Sequence, residues 1–217
     1  MRQYDISEGG DSLSNVNLMI IRPLTVFERE AVGNFYLSLS AGDRRKRFCC
    51  TLGDENVSKY VDGLNFTHDT ILGAFDEQAQ LIGLAELVRG AEASEMAFSV
   101  RPDRRGQKIG TMLMERLLAR ARLCGVSKVF VMFLSDNTPM RRMAIRAGMA
   151  IQTADGESCA ARELPAPSAE ELTCWLIEDS LSHGGYFSTL GIARWGWLVN
   201  RSAATVPQPR EALAPTV

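Results

Sequence analysis

Apolar residues along this chain change their spacing several times, and each change marks an element. Leu18-Met19-Ile20-Ile21 is a short apolar run of strand character that stops before Pro23. Thr25 and Glu28 stand at the spacing of a capping box, and Phe27, Ala31, Phe35 and Leu39 follow at roughly helical intervals, which predicts a helix over most of 26–39. Beyond the basic run Arg44-Arg45-Lys46-Arg47, Asp54 caps a second helix that buries Val57, Tyr60, Val61 and Leu64. These two helices are candidates for one wall of a substrate cleft.

From Thr70 the pattern changes. Residues 70–75, the polar turn Asp76-Glu77-Gln78 and residues 80–88 predict an antiparallel hairpin, and a third strand spans 95–100. A helix follows with Ile109, Met112, Leu113, Leu117, Ala121 and Cys124 on one face, ending at Gly125. The run KVFVMFL at 128–134 is apolar enough for a strand buried on both faces, which makes strand, helix and strand a parallel crossover. Ser135-Asp136-Asn137 then caps a short helix with Pro139 in its first turn, Met140, Met143, Ala144 and Ala147 inward, and Gly148 closing it. A last strand is predicted at 150–153 or 159–163. Leu164-Pro165-Ala166-Pro167 breaks the chain, and Ser168 and Glu171 repeat the capping spacing ahead of Leu172, Trp175 and Leu176. The predicted organisation is a disordered segment over 1–17, one main domain over 18–164, a partly helical extension over 165–204 and a disordered tail over 205–217.

Composition narrows the function classes. With 217 residues, 46% hydrophobic and 23% charged, the chain fits one main core, and a formal charge of −2 supplies no overall field to gather nucleic acid. Its five cysteines, Cys49, Cys50, Cys124, Cys159 and Cys174, are odd in number and lack C-x-x-C spacing, which argues against a disulfide or zinc framework and for a reducing compartment. The N-terminal MRQYDISEGGDSL is polar and acidic, unlike a signal peptide, and no apolar run reaches membrane-spanning length, so a cytoplasmic protein is expected. His68 and His183 have no ligand-spaced Cys or carboxylate, and no metal is predicted.

The chemistry gathers where the strand Glu95-Met96-Ala97-Phe98-Ser99-Val100 runs through the loop Arg104-Arg105-Gly106-Gln107-Lys108-Ile109-Gly110-Thr111 into an amphipathic helix. Free amides and the positive dipole end at a helix start suit a phosphate group, and glycines let it come close. A solvated basic turn is the competing reading of the spacing alone. Gly106 and Gly110 are too close for an ATPase phosphate loop, Thr111 stands where that motif needs Lys, and the G-x-G-x-x-G dinucleotide fingerprint is absent.

Arg105-Gly106-Gln107-Lys108-Ile109-Gly110 resembles the acyl-coenzyme-A loop of the GNAT N-acetyltransferase superfamily, Gln/Arg-x-x-Gly-x-Gly/Ala, with Lys108 in place of the middle glycine. The order of elements over roughly 18–163 and the Asn137-led helix ending in Gly148-Met149 are also similar to that family. The resemblance implies an α+β fold, a mixed and mostly antiparallel sheet flanked by helices, and acetyl-CoA as co-substrate. It implies main-chain contacts from Phe98, Ser99 and Val100 to the pantetheine, a diphosphate held by Arg105, Gly106, Gln107, Lys108, Ile109, Gly110 and Thr111, and a pantetheine contact from Asn137. A primary ammonium must lose a proton before attacking a thioester. Glu95 matches the glutamate that serves as base in the family's protein-lysine acetyltransferases, with Glu86 in reserve and a solvated strand residue as the plain alternative. Ala144 stands where many members carry a general-acid tyrosine, so Ser135, water or unaided thiolate departure would have to serve.

The expected activity is direct acetyl transfer from acetyl-CoA to a primary amine, with a catalytically weak acyl-CoA-binding sensor as the alternative. The stretch from Ser40 to Phe48 is similar to one in bacterial protein-lysine acetyltransferase domains, which favours a protein lysine, while small amines stay open. The 44–47 run is read as a solvated loop, with the coenzyme's phosphorylated ribose or an acidic partner as its other uses. Cys49 is read as structural. Trp175, Trp195 and Trp197 are expected to pack against the core or a second subunit, as in a homodimer formed through the extension, or to lie on a membrane surface.

Overall fold

The computed structural model describes residues 19–173. Cys174, Trp175, His183, Trp195, Trp197 and the predicted disordered ends at 1–17 and 205–217 lie outside the described residues, as does most of the extension. Seven strands form one sheet: β1 (Ile20–Pro23), β2 (Thr70–Phe75), β3 (Leu81–Val88), β4 (Ser94–Val100), β5 (Lys128–Leu134), β6 (Ala150–Ala154) and β7 (Glu157–Glu163). Their spatial order is β1-β2-β3-β4-β5-β7-β6. Every pairing is antiparallel except β4 with β5, the crossover pair. This is the mixed, helix-flanked α+β sheet that the resemblance implied.

Helices α1 (Arg29–Ser38), α2 (Ala41–Phe48) and α3 (Asp54–Asp62) lead up to the hairpin, α4 (Ile109–Leu123) is the crossover, and α5 (Thr138–Arg146) follows β5. Two apolar clusters divide the sheet's faces. Leu113, Leu117 and Ala121 of α4 pack with Ala85, Leu87, Met96, Val129 and Val131, while Val32, Phe35, Tyr36, Val57 and Val61 of α1 and α3 pack with Ile71 and Leu84. Because side chains alternate along a strand, Met96, Phe98 and Val100 belong to the α4 face, and Glu95, Ala97 and Ser99 to the other.

Several expectations change. Strand β1 runs through Pro23, which an edge strand tolerates because an imide nitrogen need not donate to a neighbour. The first helix is preceded by a 3-10 turn at Val26–Glu28; Phe27 is 87% exposed, Ala31 also faces outward, and the inward face is Val32, Phe35, Tyr36 and Leu39. The basic run is a helix, not a solvated loop. Ser40 caps it, accepting from Asp43 N–H at 3.1 Å, and both Arg44 and Arg47 turn inward. Strand β5 is fully covered on its α4 face, and on the other, where α2 covers it in part, Phe130 is half-buried and Met132 exposed. Both predicted last strands exist, as the β6–β7 hairpin.

Candidate functional site

The parallel strands β4 and β5 meet only at Ser94–Val129 and Glu95–Phe130, and then diverge. The gap opens towards the C-terminal end of β4. Which polar groups face it follows from one bond: Arg101 N–H donates to Ile82 C=O at 3.0 Å, which sets the phase of the antiparallel ladder. Ser99 and Ala97 therefore exchange their main-chain bonds with Leu84 and Glu86 in β3. The N–H and C=O groups of Met96, Phe98 and Val100 face the gap. Of the three predicted pantetheine contacts, Phe98 and Val100 have main-chain groups free for the role. Ser99 does not, but its side chain supplies something the sequence did not reveal: the residue is 8% exposed and its Oγ has no hydrogen-bond partner among the described residues. An orphaned buried hydroxyl is costly unless a ligand or water satisfies it.

The wide end of the gap meets the start of α4. Met112 N–H is the first to enter that helix's ladder, bonding to Lys108 C=O at 3.0 Å, so the amides of Ile109, Gly110 and Thr111 have no intrahelical acceptor. Gly106 takes a φ of +80° and Lys108, the helix N-cap, a φ of +62°. The departure from glycine at 108 thus leaves an L-residue in the left-handed region, at a cost of about 1 kcal/mol. Gly110 serves a different purpose: a Cβ there would lie 3.0 Å from Met143 Sδ, so the missing side chain lets α5 approach α4. Gln107 and Lys108 are exposed, as a ligand-binding loop requires. Arg105 is half-exposed, and its Nη2 donates to Asp43 Oδ1 of α2 at 2.6 Å. Burial alone would raise the Asp43 carboxyl, but hydrogen bonds from Arg105 and Ser40 outweigh it and hold the group below the usual carboxylate range.

Asn137 is the N-cap of α5, its Oδ1 accepting from Met140 N–H at 3.3 Å, which leaves its side-chain NH2 as a donor. Ala144, on the same helix, is fully buried in the core and brings no proton to the gap. Free main-chain groups along β4 and three helix-start amides with no partner among the described residues make a continuous lining from the strand fork to the loop, with the orphan Ser99 hydroxyl on the same face as Glu95. That lining suits a long, amide-bearing chain that ends in a diphosphate.

The carboxylates stand on the face away from α4. Glu95 is exposed at the fork itself, and among the described residues its carboxylate has no ion-pair partner. Cys49, the C-cap of α2, lies close enough to feel it: burial, then the Glu157 carboxylate, pushes the Cys49 thiol up, and Glu95 adds to the effect, which disfavours a thiolate nucleophile. Glu86, the reserve base, is withdrawn from that role. It is 1% exposed and accepts bonds from Tyr36 Oη, Tyr60 Oη and, at 2.8 Å, Arg47 Nη2. With about three of its four lone-pair sites engaged and the group buried, Glu86 is poorly placed to receive a proton from an incoming ammonium. This cluster and the Asp43–Arg105 pair join residues far apart along the chain, and no local pattern in the sequence marks them. His68 is exposed and bonded to Asp69, and no group of three or more metal-ligating side chains occurs among the described residues. Nor is any described helix long and apolar enough to cross a membrane.

Comparison with known proteins agrees with this geometry. Residues 44–149 match the model of the acetyltransferase (GNAT) family. The fold is similar to that of the GNAT domain of S. lividans PAT (23% identity, TM-score 0.57, covering 66% of this chain and 89% of that one). It is also similar to spermidine N-acetyltransferase from Vibrio cholerae in complex with CoA and spermine (15%, 0.54, 67% and 95%). A third similar structure is the PaiA N-acetyltransferase from Thermoplasma acidophilum in complex with coenzyme A (15%, 0.51, 67% and 99%). The fork after Glu95 and the loop at the start of α4 both lie within the segment of this chain, residues 44–149, that matches the GNAT acetyltransferase family.

Proposed function

We propose that the protein transfers an acetyl group from acetyl-CoA to a primary amine, by direct attack while both substrates are bound. The observation that carries this reading is the forked sheet with Glu95 at its apex and unpaired helix-start amides at its mouth. The coenzyme supplies an activated thioester. Main-chain groups of Phe98 and Val100 with the Asn137 side chain would hold its pantetheine, and the amides around Ile109, Gly110 and Thr111 its diphosphate. A β4 N–H facing the gap is suited to stabilise the thioester oxygen as charge develops on it.

Glu95 is the base in this reading. It takes the proton from the acceptor ammonium, directly or through one water, and the amine then attacks the thioester carbon. With Ala144 buried and aliphatic, the thiolate leaves unaided or takes a proton from water, which its low basicity compared with an amine allows. The acceptor is read as a protein lysine or a small amine. Its ammonium would approach from the α2 and α3 face, where Glu95 and Glu157 supply negative charge. The missing tyrosine equally suits a second reading, an acyl-CoA-binding module without turnover. Amine-dependent release of free thiol from acetyl-CoA, screened over lysine peptides and polyamines, separates the two: turnover supports the enzyme, and CoA binding with no turnover on any amine would support the module.

A further inference from the structure

Helix α2 lies along the fork from one end to the other. Its first turn meets the loop before α4 through Asp43 and Arg105, its body packs on β4 and β5, and its C-cap Cys49 is within electrostatic reach of Glu95. The last turn is fixed from beneath by Arg47 on Glu86. The first turn is tied to α1 and to the start of α3 by the buried Arg44, which donates to Leu37 C=O at 2.7 Å and pairs with Asp54 at 2.5 Å, but not to the sheet; Asp43 is held by Ser40 within its own cap and by Arg105 from the loop. Arg105 engages Asp43 through one terminal nitrogen and is itself half-exposed, so the guanidinium keeps donors for a second anion.

Resting on the proposed function, we infer that Asp43 is a positioning residue. The Asp43–Arg105 pair couples the coenzyme's diphosphate to the acceptor wall, so that loading the loop draws the first turn of α2 into place over the fork. Arg105 then bridges two anions, the diphosphate and Asp43, and the acceptor site is completed only once the coenzyme is bound. Removing the Asp43 charge would free Arg105 for the diphosphate and leave coenzyme affinity intact, while the acceptor loses a fixed wall. A purely structural ion pair would instead weaken both sites together or neither.

The test compares wild type with Asp43→Asn, which keeps a side-chain oxygen for Ser40 and so preserves the cap. CoA is titrated calorimetrically, and amide hydrogen exchange of residues 41–49 is followed with and without CoA. In the wild type, CoA should slow exchange across 41–49 as well as at the start of α4. In Asp43→Asn, CoA affinity should stay within about threefold, protection at the start of α4 should persist, and protection across 41–49 should disappear. Steady-state kinetics should show acceptor KM rising at least about fivefold with coenzyme KM little changed, the low end of ordinary coupling between sites. Asp43→Glu should restore most of the coupling. Equal protection of 41–49 in the variant, or CoA binding to wild type without any protection there, would overturn the inference and leave the proposed function standing. Failure of the wild type to bind CoA at all would overturn both.

Discussion

Arg47 and Glu86 meet at 2.8 Å beneath α2, with side chains only 8% and 2% exposed, and the phenols of Tyr36 and Tyr60 bond to the same carboxylate. The Arg47 guanidinium also lies over the rings of Phe48, Tyr36 and Tyr60, at 4.7, 5.5 and 5.5 Å from their centroids. Every polar group in this buried cluster thus has a partner. Its role is to fix the wall of the cleft, because its members come from α1, α2, α3 and β3.

Breaking this pair from one side should be far worse than removing it whole. Arg47→Met leaves a buried carboxylate without its counter-charge and should cost about 3–5 kcal/mol, whereas adding Glu86→Gln should recover a substantial part of the loss. Urea unfolding of the two single variants and the double variant measures this, and additive losses would show that the pair is not coupled.

The same cluster sets behaviour at high pH. Burial first, and the Glu86 charge with it, pushes the Tyr60 and Tyr36 hydroxyls above the ordinary tyrosine value, against an opposing pull from Arg47. Their folded pKa values lie above the unfolded one, so the stability they contribute is whole below about pH 10 and is lost as the pH rises from there towards the folded values. The urea midpoint should therefore be flat to about pH 10 and then fall, with a smaller fall in Tyr60→Phe. Ultraviolet titration of tyrosinate should find Tyr36 and Tyr60 ionising late.

Much of the fold was legible because local signals agreed. The apolar runs and polar turn of the β2–β3 hairpin, the apolar face of α4, and the caps at Asn137 and Gly148 each report on a few neighbouring residues, and the structure keeps them all. The helix-start amides were legible for the same reason. What escaped depends on distant pairing. The Arg47–Glu86 bond joins residues 39 apart, and a run of basic side chains gives no sign that two of four turn inward. The fork was hidden too: β5 reads as uniformly apolar, yet Phe130 and Met132 line the side that opens beyond Glu95.

The loop before α4 should tolerate glycine better than it tolerates the loss of glycine. Lys108→Gly removes left-handed strain and should be neutral to about 1 kcal/mol stabilising, while Gly106→Ala, at a φ of +80°, should destabilise by about 1–2 kcal/mol and weaken CoA binding. Thermal unfolding and CoA titration of both variants check the opposite signs.

Glu95→Gln keeps the side chain's shape and removes its basicity. If Glu95 is the base, kcat should fall about 10²- to 10⁴-fold while CoA affinity stays within about twofold, as measured by amine-dependent thiol release and by calorimetry. Unchanged turnover would remove Glu95 from the mechanism.

The central claim is that a diphosphate is gripped by amides at the start of α4. Titrating CoA into ¹⁵N-labelled protein and following each backbone amide by NMR tests it most directly. The largest, saturable shifts should fall on residues 106–111, with smaller ones at Phe98 and Val100. Saturable CoA binding that leaves 106–111 unmoved and shifts another surface instead would contradict it.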